Sequence, residues 1–331
     1  MKAALLVEPE KIVFEDVPEP PLLENDVMIR PEYVGICGTD ISFYLGHRVV
    51  PYPFVLGHEV LGRIVSVGES VTKFNVGQRV VVEPNYPCGS CRLCAQGRGA
   101  VCAGKGSMGV NLPGCFSERV AAPAEYTWHV PESVSDKDAA TIEPLTVSTH
   151  ALLRSGAKSG DTVAVLGCGV VGLLLTHAAI AMGVRVIAHD KIEQKLEMAA
   201  DLGAVSSQEL TDPAQLWEKE GVSTVFECAG VSATLETALK AAPRAAQVIL
   251  LGLSADSTSF IPMRLVREGI DILTSMIYDH PADFAHSVDL VSKGTLHPSC
   301  AVTDVYDFDS VALALEHART GKAGKILVKM N

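Results

Sequence analysis

The sequence lacks any block of basic residues. Its 331 residues contain 27 Lys and Arg against 39 Asp and Glu, for a formal net charge of −12. Nucleic acids and anionic membrane surfaces attract clustered positive charge, so neither is an expected partner. Internal repeats and low-complexity tracts are also missing. With 48% hydrophobic and 20% charged residues, the chain is expected to fold around a core, and wholesale disorder is excluded.

The N-terminal stretch has little apolar sequence. Residues 3 to 7 are apolar and Glu8 follows, which is too short a run for the core of a secretory signal peptide. We therefore expect a cytoplasmic protein, in which thiols stay reduced. Its nine cysteines are expected to be free thiols or metal ligands rather than disulfides.

One stretch has no Asp, Glu, Lys or Arg. It runs from residue 162 to 184, which is long enough to cross a bilayer. Four glycines interrupt it, however, and a strand-like pattern begins at Arg185. We therefore expect a strand that turns into a helix rather than a transmembrane segment.

The strand-like and helix-like patterns divide the chain in two. Up to residue 147, short β-branched runs separated by Gly and Pro are typical of a barrel-like or sandwich-like β domain. From about residue 160, apolar strands alternate with helical patterns, which predicts a parallel sheet covered on both faces. The expected helices are 170–182, 191–202, 213–220, 232–242 and 310–319, and a strand at 325–329 closes the chain.

A glycine-rich turn lies at the start of the second half. Gly167, Gly169 and Gly172 (Gly-Cys-Gly-Val-Val-Gly) follow a predicted strand and open a helix. This pattern is typical of a dinucleotide site, where glycines let the backbone approach a pyrophosphate at a helix N-terminus. Asp190, 18 residues beyond Gly172, is placed to bind ribose hydroxyls and favours NAD over NADP. The alternative for the glycine motif is an ordinary strand–helix turn. Lys195 is a nearby cation, and its charge would partly offset that of the Asp190 carboxylate.

Four cysteines fall within 15 residues: Cys88, Cys91, Cys94 and Cys102. Zinc in a structural site takes four such ligands in a tetrahedron. Disulfides do not suit a reducing compartment, and the last gap does not match the spacing of ferredoxin-type iron–sulfur ligands. The cluster therefore predicts a structural zinc.

A second set of possible ligands is dispersed along the chain. It consists of Cys37, His58 with Glu59, and Glu143. One Cys, one His and one or two carboxylates suit a zinc site with a position open for substrate. Spacing alone does not separate this from the alternative that they are core and ion-pair residues.

The chain resembles the zinc-containing medium-chain alcohol dehydrogenases along its whole length. Glu143-Pro144-Leu145 is similar to the branch of polyol (sorbitol-type), threonine and butanediol dehydrogenases, in which Glu replaces a Cys. The stretches that carry the resemblance are Gly35–Asp40, Gly57–Glu59, Cys88–Cys102, Glu143–Leu145, Gly167–Gly172 and Phe226–Gly230.

The resemblance implies a two-domain α/β fold. A GroES-like β-barrel catalytic domain would comprise residues 1–147 and 281–331 and would carry a structural zinc lobe at 87–107. A Rossmann domain with a doubly wound parallel sheet would comprise residues 148–280 and bind NAD. Two zinc ions per chain, one catalytic and one structural, and a homotetramer or homodimer are implied as well.

The resemblance also assigns roles to residues. Cys37 and His58 would hold the catalytic zinc, Glu59, Glu143 and water would complete or exchange in its shell, and Asp40 would orient His58. Thr39 would carry the proton of the alcohol. The implied cofactor-binding residues are Gly167, Gly169, Val171, Gly172, Asp190, Lys195, Leu251, Gly252, Leu253, Ser275 and Ile277.

Two positions depart from related enzymes. Ser42 stands where many relatives have a proton-relaying His, so the relay would end at Thr39 and the cofactor ribose or run through water. Ile277 stands where sorbitol dehydrogenases have an Arg for a substrate hydroxyl. The expected reaction is the interconversion of a secondary alcohol and its ketone, with a polyol, sugar alcohol or vicinal diol as substrate. The alternatives are an L-threonine 3-dehydrogenase, a non-catalytic zinc- and NAD-binding sensor, and a zinc-free quinone reductase.

Overall fold

The structure is a computed structural model that describes residues 1–207 and 212–330. The chain divides into two compact units. Unit 1 comprises Met1–Glu143 and Asp279–Asn331, and unit 2 comprises Pro144–Tyr278. The second unit is therefore an insertion between two segments of the first.

The elements follow one another in this order. The strands are β1 (Lys2–Glu8), β2 (Lys11–Asp16), β3 (Asp26–Gly35), β4 (Phe54–Val55), β5 (Glu59–Val67), β6 (Arg79–Val82), β7 (Asn85–Tyr86), β8 (Gly106–Ser107), β9 (Val120–Pro123), β10 (Thr127–His129), β11 (Thr162–Leu166), β12 (Arg185–His189), β13 (Val205–Ser207), β14 (Val222–Glu227), β15 (Gln247–Leu250), β16 (Asp271–Thr274), β17 (Val302–Asp307) and β18 (Lys325–Lys329). The helices are α1 (Gly38–Tyr44), α2 (Arg92–Ala95), α3 (Asp136–Ala140), α4 (Ile142–Ser155), α5 (Val170–Ala181), α6 (Glu193–Asp201), α7 (Pro213–Lys219), α8 (Ser232–Ala241), α9 (Pro262–Glu268), α10 (Ala282–Ser292) and α11 (Val311–Arg319).

Unit 1 is built on β strands. Its main sheet has the order β10-β6-β5-β3-β18-β17, with β9 also paired to β3, and a smaller sheet has the order β2-β1-β4. β18, near the end of the chain, lies beside β3, near its beginning. The apolar faces of both sheets contribute to one buried cluster, which includes Leu6, Val27, Ile64 and Phe116. That core holds the first and last segments of the chain in a single unit.

Unit 2 is a six-stranded parallel sheet of order β13-β12-β11-β14-β15-β16. The middle strands are apolar and buried along most of their length, as for Val163 and Val165 in β11, because helices cover a parallel sheet on both faces. All carboxyl ends lie at one edge. Ligands of such sheets bind at that edge, where the strand order reverses between β11 and β14.

The uncharged stretch 162–184 forms β11 and α5, as expected. A helix of 12 residues is far shorter than the approximately 20 residues needed to cross a bilayer. Within residues 1–207 and 212–330, no helix has both the length and the apolar character that a membrane span requires.

The predicted helices of unit 2 are confirmed to within two residues at either end. Among the described helices of seven residues or more, α1, α4, α9 and α10 were not predicted. α4 is buried along nearly its whole length, with Leu153 and Arg154 exposed near its end. α9 has no fully buried residue and contacts the core of unit 2 through the half-buried Leu265, so its apolar stripe is short. α10 (Ala282–Ser292) was also missed.

Candidate active site

Strand pairing assembles the candidate metal centre of unit 1. β3 and β5 are antiparallel, and Gly35 at the end of β3 pairs with Glu59 at the start of β5. Cys37 follows the end of β3, and His58 immediately precedes β5, so the register brings them together. One ligand atom from each of Cys37, His58 and Glu59 lies within 4.8 Å of the others. Residues that are 21 positions apart in sequence therefore form one candidate metal site.

Asp40 ties together the two chain segments that carry these ligands. It is fully buried and accepts hydrogen bonds from the backbone N–H of Cys37 (2.9 Å) and of Gly57 (3.0 Å). Burial opposes the charge of Asp40, but His58 and these two N–H groups outweigh it and lower its pKa. A carboxylate so held fixes the spacing between the Cys37 and His58 segments.

The His58 ring fits a metal ligand. Its Nδ1 lies 3.6 Å from Asp40 Oδ1 and is buried without a hydrogen-bond partner among the described residues. Ligating imidazoles usually orient their second nitrogen toward such a carboxylate. Burial opposes the imidazolium form, but Asp40 and Cys37 favour it and raise the pKa of His58 in the metal-free chain.

Glu59 is engaged by a lysine from the far end of the chain. The Lys325 ammonium donates to Glu59 Oε1 at 2.7 Å and Oε2 at 2.6 Å, and to the carbonyl of Ile36 at 2.8 Å. Both side chains are about 1–2% exposed. All three N–H groups of the ammonium are used in hydrogen bonds, which offsets the cost of burying the two charges. Nothing local in the sequence marks Lys325, and sequence reasoning missed it.

Three further residues expected at this centre, Thr39, Ser42 and Glu143, lie on the helices α1 and α4. Thr39 is half-buried in the first turn of α1, and Ser42 lies one turn further on. Glu143 is buried in the first turn of α4. Its charge contributes to the raised pKa of Lys325, so it lies within electrostatic range of the Glu59–Lys325 pair.

The four clustered cysteines converge as a tetrahedral site requires. Cys91 Sγ lies 3.5 Å from Cys94 Sγ and 3.8 Å from Cys102 Sγ, and Cys88 Sγ lies 4.0 Å from Cys94 Sγ. Four thiolates about 2.3 Å from one zinc are about 3.8 Å apart, so these distances fit the ion. A backbone hydrogen bond from Ser90 lowers the pKa of Cys88, whereas burial and the neighbouring thiols raise the pKa of Cys94.

The glycine turn of unit 2 has the backbone geometry of a phosphate-binding loop. Gly167 has a φ of +96°, and a Cβ there would lie 2.7 Å from the N of Ala229. A Cβ at Gly172 would overlap the carbonyl of Gly167. Helix α5 starts directly after Gly169, with no side-chain cap on its first N–H groups. Those N–H groups remain available to an anion.

Asp190 is fixed beside this turn. Its Oδ2 accepts from Cys168 N at 2.7 Å and its Oδ1 from Ile192 N at 2.9 Å. Burial and then the Asp190 charge raise the pKa of Cys168 to about 12, and Lys195 opposes them. Asp190 and Lys195 therefore both lie within electrostatic range of the glycine turn.

The turns after β15 and β16 complete the carboxyl edge of the sheet. Leu253 is 80% exposed, whereas Ser275 Oγ is buried with no hydrogen-bond partner among the described residues. Ile277 has a φ of +46°, which is strained for a β-branched residue. An orphaned hydroxyl beside a strained turn at this edge fits a polar ligand group such as the carboxamide of a nicotinamide.

A further titratable cluster in unit 1 was not predicted. His280 Nδ1 lies 2.8 Å from Oε2 of the buried Glu83, and its Nε2 lies 3.7 Å from Glu125. The imidazole also packs against the ring of Tyr126, with ring centroids 4.4 Å apart and the ring planes tilted by 35°. Burial opposes the charged form of His280, but Glu83 and then Glu125 favour it, and its pKa is raised.

This cluster predicts a pH-dependent contribution to stability. Because the folded-state pKa of His280 is raised, the stabilisation is full below the unfolded-state pKa of about 6.5 and is lost as pH rises through the folded-state value. We expect His280→Gln to lower the urea midpoint more at pH 6 than at pH 9. Trp128, whose indole N–H donates to Glu83, provides a local fluorescence signal. A wild-type advantage that does not change with pH would contradict this role.

Comparisons with known proteins identify the family of the chain. Residues 23–132 match the alcohol dehydrogenase GroES-like domain, and residues 170–293 match the zinc-binding dehydrogenase domain. Sorbitol dehydrogenase from Bacillus subtilis (strain 168) is 32% identical over 96% of this chain and 93% of its own. L-threonine 3-dehydrogenase from Salmonella arizonae is 31% identical over 99% of both chains. A solved alcohol dehydrogenase from Escherichia coli CFT073, in complex with NADH, has a TM-score of 0.93 at 30% identity and covers 99% of each chain.

The fold and the ligand clusters define an oxidoreductase that acts on CH–OH groups with zinc and a nicotinamide dinucleotide as cofactors. The chain belongs to the zinc-dependent medium-chain dehydrogenase superfamily. The expected fold class, a GroES-like β domain with a Rossmann domain, is thereby confirmed.

Proposed function

We propose that this enzyme interconverts a polyol, sugar alcohol or vicinal diol and the corresponding ketone with NAD(H). The observation that carries the proposal is the cluster of Cys37, His58 and Glu59, with one thiol, one imidazole and one carboxylate. Alcohol dehydrogenases with a second thiolate would have another Cys where this chain has Glu143. The similarity to a sorbitol dehydrogenase over nearly the whole length supports the same substrate class.

Cys37, His58 and Glu59 would hold the catalytic zinc, with Glu143 as an exchanging ligand. The structural zinc would lie among Cys88, Cys91, Cys94 and Cys102. When bound, the catalytic ion supplies a Lewis acid that favours ionisation of a substrate hydroxyl, and the dinucleotide accepts a hydride.

Other residues around the centre would position its ligands or move the proton. Asp40 keeps the Cys37 and His58 segments at a fixed spacing through its two backbone hydrogen bonds. Lys325 holds the Glu59 carboxylate in place and offsets its charge. The hydroxyl of Thr39, two residues after Cys37, takes the proton that the substrate hydroxyl releases. Since residue 42 is Ser rather than His, that proton leaves through water or the cofactor ribose.

The preference for diols has a physical reason. A ligand set rich in carboxylates would lower the effective charge of a zinc ion, which should weaken its action on one hydroxyl relative to a ligand set with two cysteines. A substrate with two adjacent hydroxyls compensates by offering two oxygen ligands. Ethanol has no second hydroxyl and should be a poor substrate.

The dinucleotide would bind along the carboxyl edge of the unit 2 sheet. Asp190 is held by two backbone N–H groups, so a 2′-phosphate would meet a fixed negative charge, and we propose NAD over NADP. The buried hydroxyl of Ser275 would pair with a polar group of the nicotinamide end. The other contacts proposed are Gly167, Gly169, Val171, Gly172, Lys195, Leu251, Gly252, Leu253 and Ile277.

The clustered thiols can bind zinc only while they remain reduced. Reducing conditions prevail in the cytoplasm, where disulfides are rare. We therefore propose a cytoplasmic location.

We further propose a homo-oligomer, a dimer or a tetramer, that uses the 261–276 face of unit 2. Ile261, Met263 and Val266 are 64–82% exposed, and β16 is an edge strand of its sheet. Exposed apolar groups beside a free strand edge favour pairing with a second copy about a two-fold axis. Val266→Lys should lower the mass measured by light scattering to that of a smaller species, whereas Val76→Lys, an exposed apolar site in unit 1, should not. An unchanged mass for Val266→Lys would contradict this interface.

A substrate screen tests the proposed activity. Following NADH absorbance, we expect turnover with sorbitol, xylitol or 2,3-butanediol, little with ethanol, and a much lower KM for NAD than for NADP. Elemental analysis should find about two zinc ions per chain. A clear preference for ethanol would contradict the diol argument.

L-Threonine belongs in the same screen. The relative from Salmonella arizonae makes it the second candidate, and its carboxylate would need a cationic partner. Arg48 is exposed, with its guanidinium 4.6 Å from the centroid of the Phe43 ring. Turnover of L-threonine alone would favour this candidate over the polyols.

A further inference from the structure

Glu227 is a buried acid to which no role has yet been given. It is the last residue of β14 and is 2% exposed. It therefore lies at the carboxyl edge of the parallel sheet, between the strands β11 and β15. Within residues 1–207 and 212–330, no Lys, Arg or His forms an ion pair with it. A buried carboxylate without a cation needs several hydrogen-bond donors to remain charged.

Those donors come from the turn that follows β14. Glu227 Oε1 accepts from the backbone N–H of Ala229 (3.0 Å) and Gly230 (3.0 Å), and from the hydroxyl of Thr234 in α8 (2.7 Å). Hydrogen bonds to a charged acceptor are about twice as strong as neutral ones. One oxygen thus fixes the turn and the first part of the following helix.

The backbone of the same residue holds the next turn. The carbonyl of Glu227 accepts from Leu251 N at 3.0 Å and from Gly252 N at 2.9 Å. A Cβ at Gly252 would lie 2.5 Å from Glu227 Oε2 and would overlap the N of Gly230. The turns after β14 and β15 therefore touch each other around this carboxylate.

The turn after β14 also contacts the glycine turn after β11. A Cβ at Gly167 would lie 2.8 Å from the Cα of Ala229. Movement of Ala229 and Gly230 would therefore displace the turns at Gly167 and Gly252 as well, since backbone packed this tightly cannot absorb a shift. All three turns lie at the ligand-binding edge of the sheet.

We infer that Glu227 is the positioning residue of the dinucleotide site. Its carboxylate fixes the turn at Ala229–Gly230, and that turn sets the positions of the turns at Gly167 and Gly252. Glu227 acts through these backbone segments and not by contact with the reacting atoms. The inference rests on the proposed dinucleotide site and adds the residue that shapes it.

Three variants test the inference in the full-length, zinc-loaded enzyme. Glu227→Ala removes the acceptor, Glu227→Gln retains an oxygen acceptor without the charge, and Glu236→Ala removes a half-buried acid of α8 that pairs with Lys240. We expect Glu227→Ala to raise the Kd for NADH, measured by cofactor fluorescence, about tenfold or more, because several hydrogen bonds to a charged group are lost. Glu227→Gln should stay within about threefold of wild type, and Glu236→Ala should be unchanged.

A second measurement separates positioning from overall loss of stability. Hydrogen exchange in the cofactor-free enzyme should accelerate at Ala229, Gly230 and Gly252 in Glu227→Ala, while the amides of β5 in unit 1 keep their wild-type rates. Thr234→Val, which removes one donor, should give a smaller increase of the same kind. It provides the test should Glu227→Ala not fold.

The outcomes are distinguishable. If Glu227→Ala binds NADH with the wild-type Kd, or if Glu227→Gln is as impaired as Glu227→Ala, the inference is overturned. If wild-type enzyme itself does not bind NADH, the proposed dinucleotide function fails, and that result does not depend on any variant.

Discussion

Replacing Cys37 with Ser should abolish turnover and leave NADH binding intact. Zinc prefers a deprotonated ligand, and a serine hydroxyl remains protonated at neutral pH where a metal-bound thiol does not. The loss of Lewis-acid assistance is equivalent to several kcal/mol in the barrier, so kcat should fall about a thousandfold or more. Cys37 lies in unit 1 and the glycine turn in unit 2, so the Kd for NADH should change little.

Zinc content gives the independent measurement. Cys37→Ser should retain about one zinc ion per chain, the one held by the four clustered cysteines. Cys300→Ser is the matched control, because Cys300 is a free cysteine outside both proposed zinc sites. It should keep both ions and full activity. If Cys37→Ser keeps two zinc ions and a kcat within about threefold of wild type, Cys37 is not a ligand of the catalytic ion.

The second large effect is expected at the buried pair of Lys325 and Glu59. Lys325→Met leaves the Glu59 carboxylate buried without the ammonium that now binds both of its oxygens. Removing one partner of a buried pair typically destabilises a protein by about 3–5 kcal/mol. Urea unfolding should therefore show a clearly lower midpoint, and kcat should fall as well because Glu59 is no longer held in place.

Two further variants test whether the effect is specific to the buried pair of Lys325 and Glu59. Lys293→Met removes an exposed partner of Asp289 and should change stability by less than about 1 kcal/mol. Adding Glu59→Gln to Lys325→Met removes the unpaired charge and should recover part of the lost stability. If Lys325→Met costs no more than Lys293→Met, or if the double variant is no more stable than the single one, the pair does not have this role.

The features predicted from the sequence are those encoded by neighbouring residues. The four cysteines lie within 15 positions, so their convergence needs only a short loop. The glycine turn between β11 and α5 is predicted from the sequence alone, because the spacing of its glycines follows from the geometry of one turn. Helices such as α5 and α8 were located closely because good helix formers and apolar residues recur along them.

Other features have no local signal. α9 has no fully buried residue and contacts the core through the half-buried Leu265, so it shows only a short apolar stripe. Glu227 was noted as part of a family motif, but its role follows only from the three donors that surround its carboxylate.

The sequence by itself determined the kinds of chemistry present: thiols, imidazole and carboxylates for zinc, and a glycine turn with an acid for a dinucleotide. Tertiary structure decided which of them meet. The register that pairs Gly35 with Glu59 brings His58 to Cys37, and β18 places Lys325 on Glu59 from 266 residues away. Strand register and strand order depend on the packing of the whole unit. They therefore cannot be predicted from the spacing of residues along the chain.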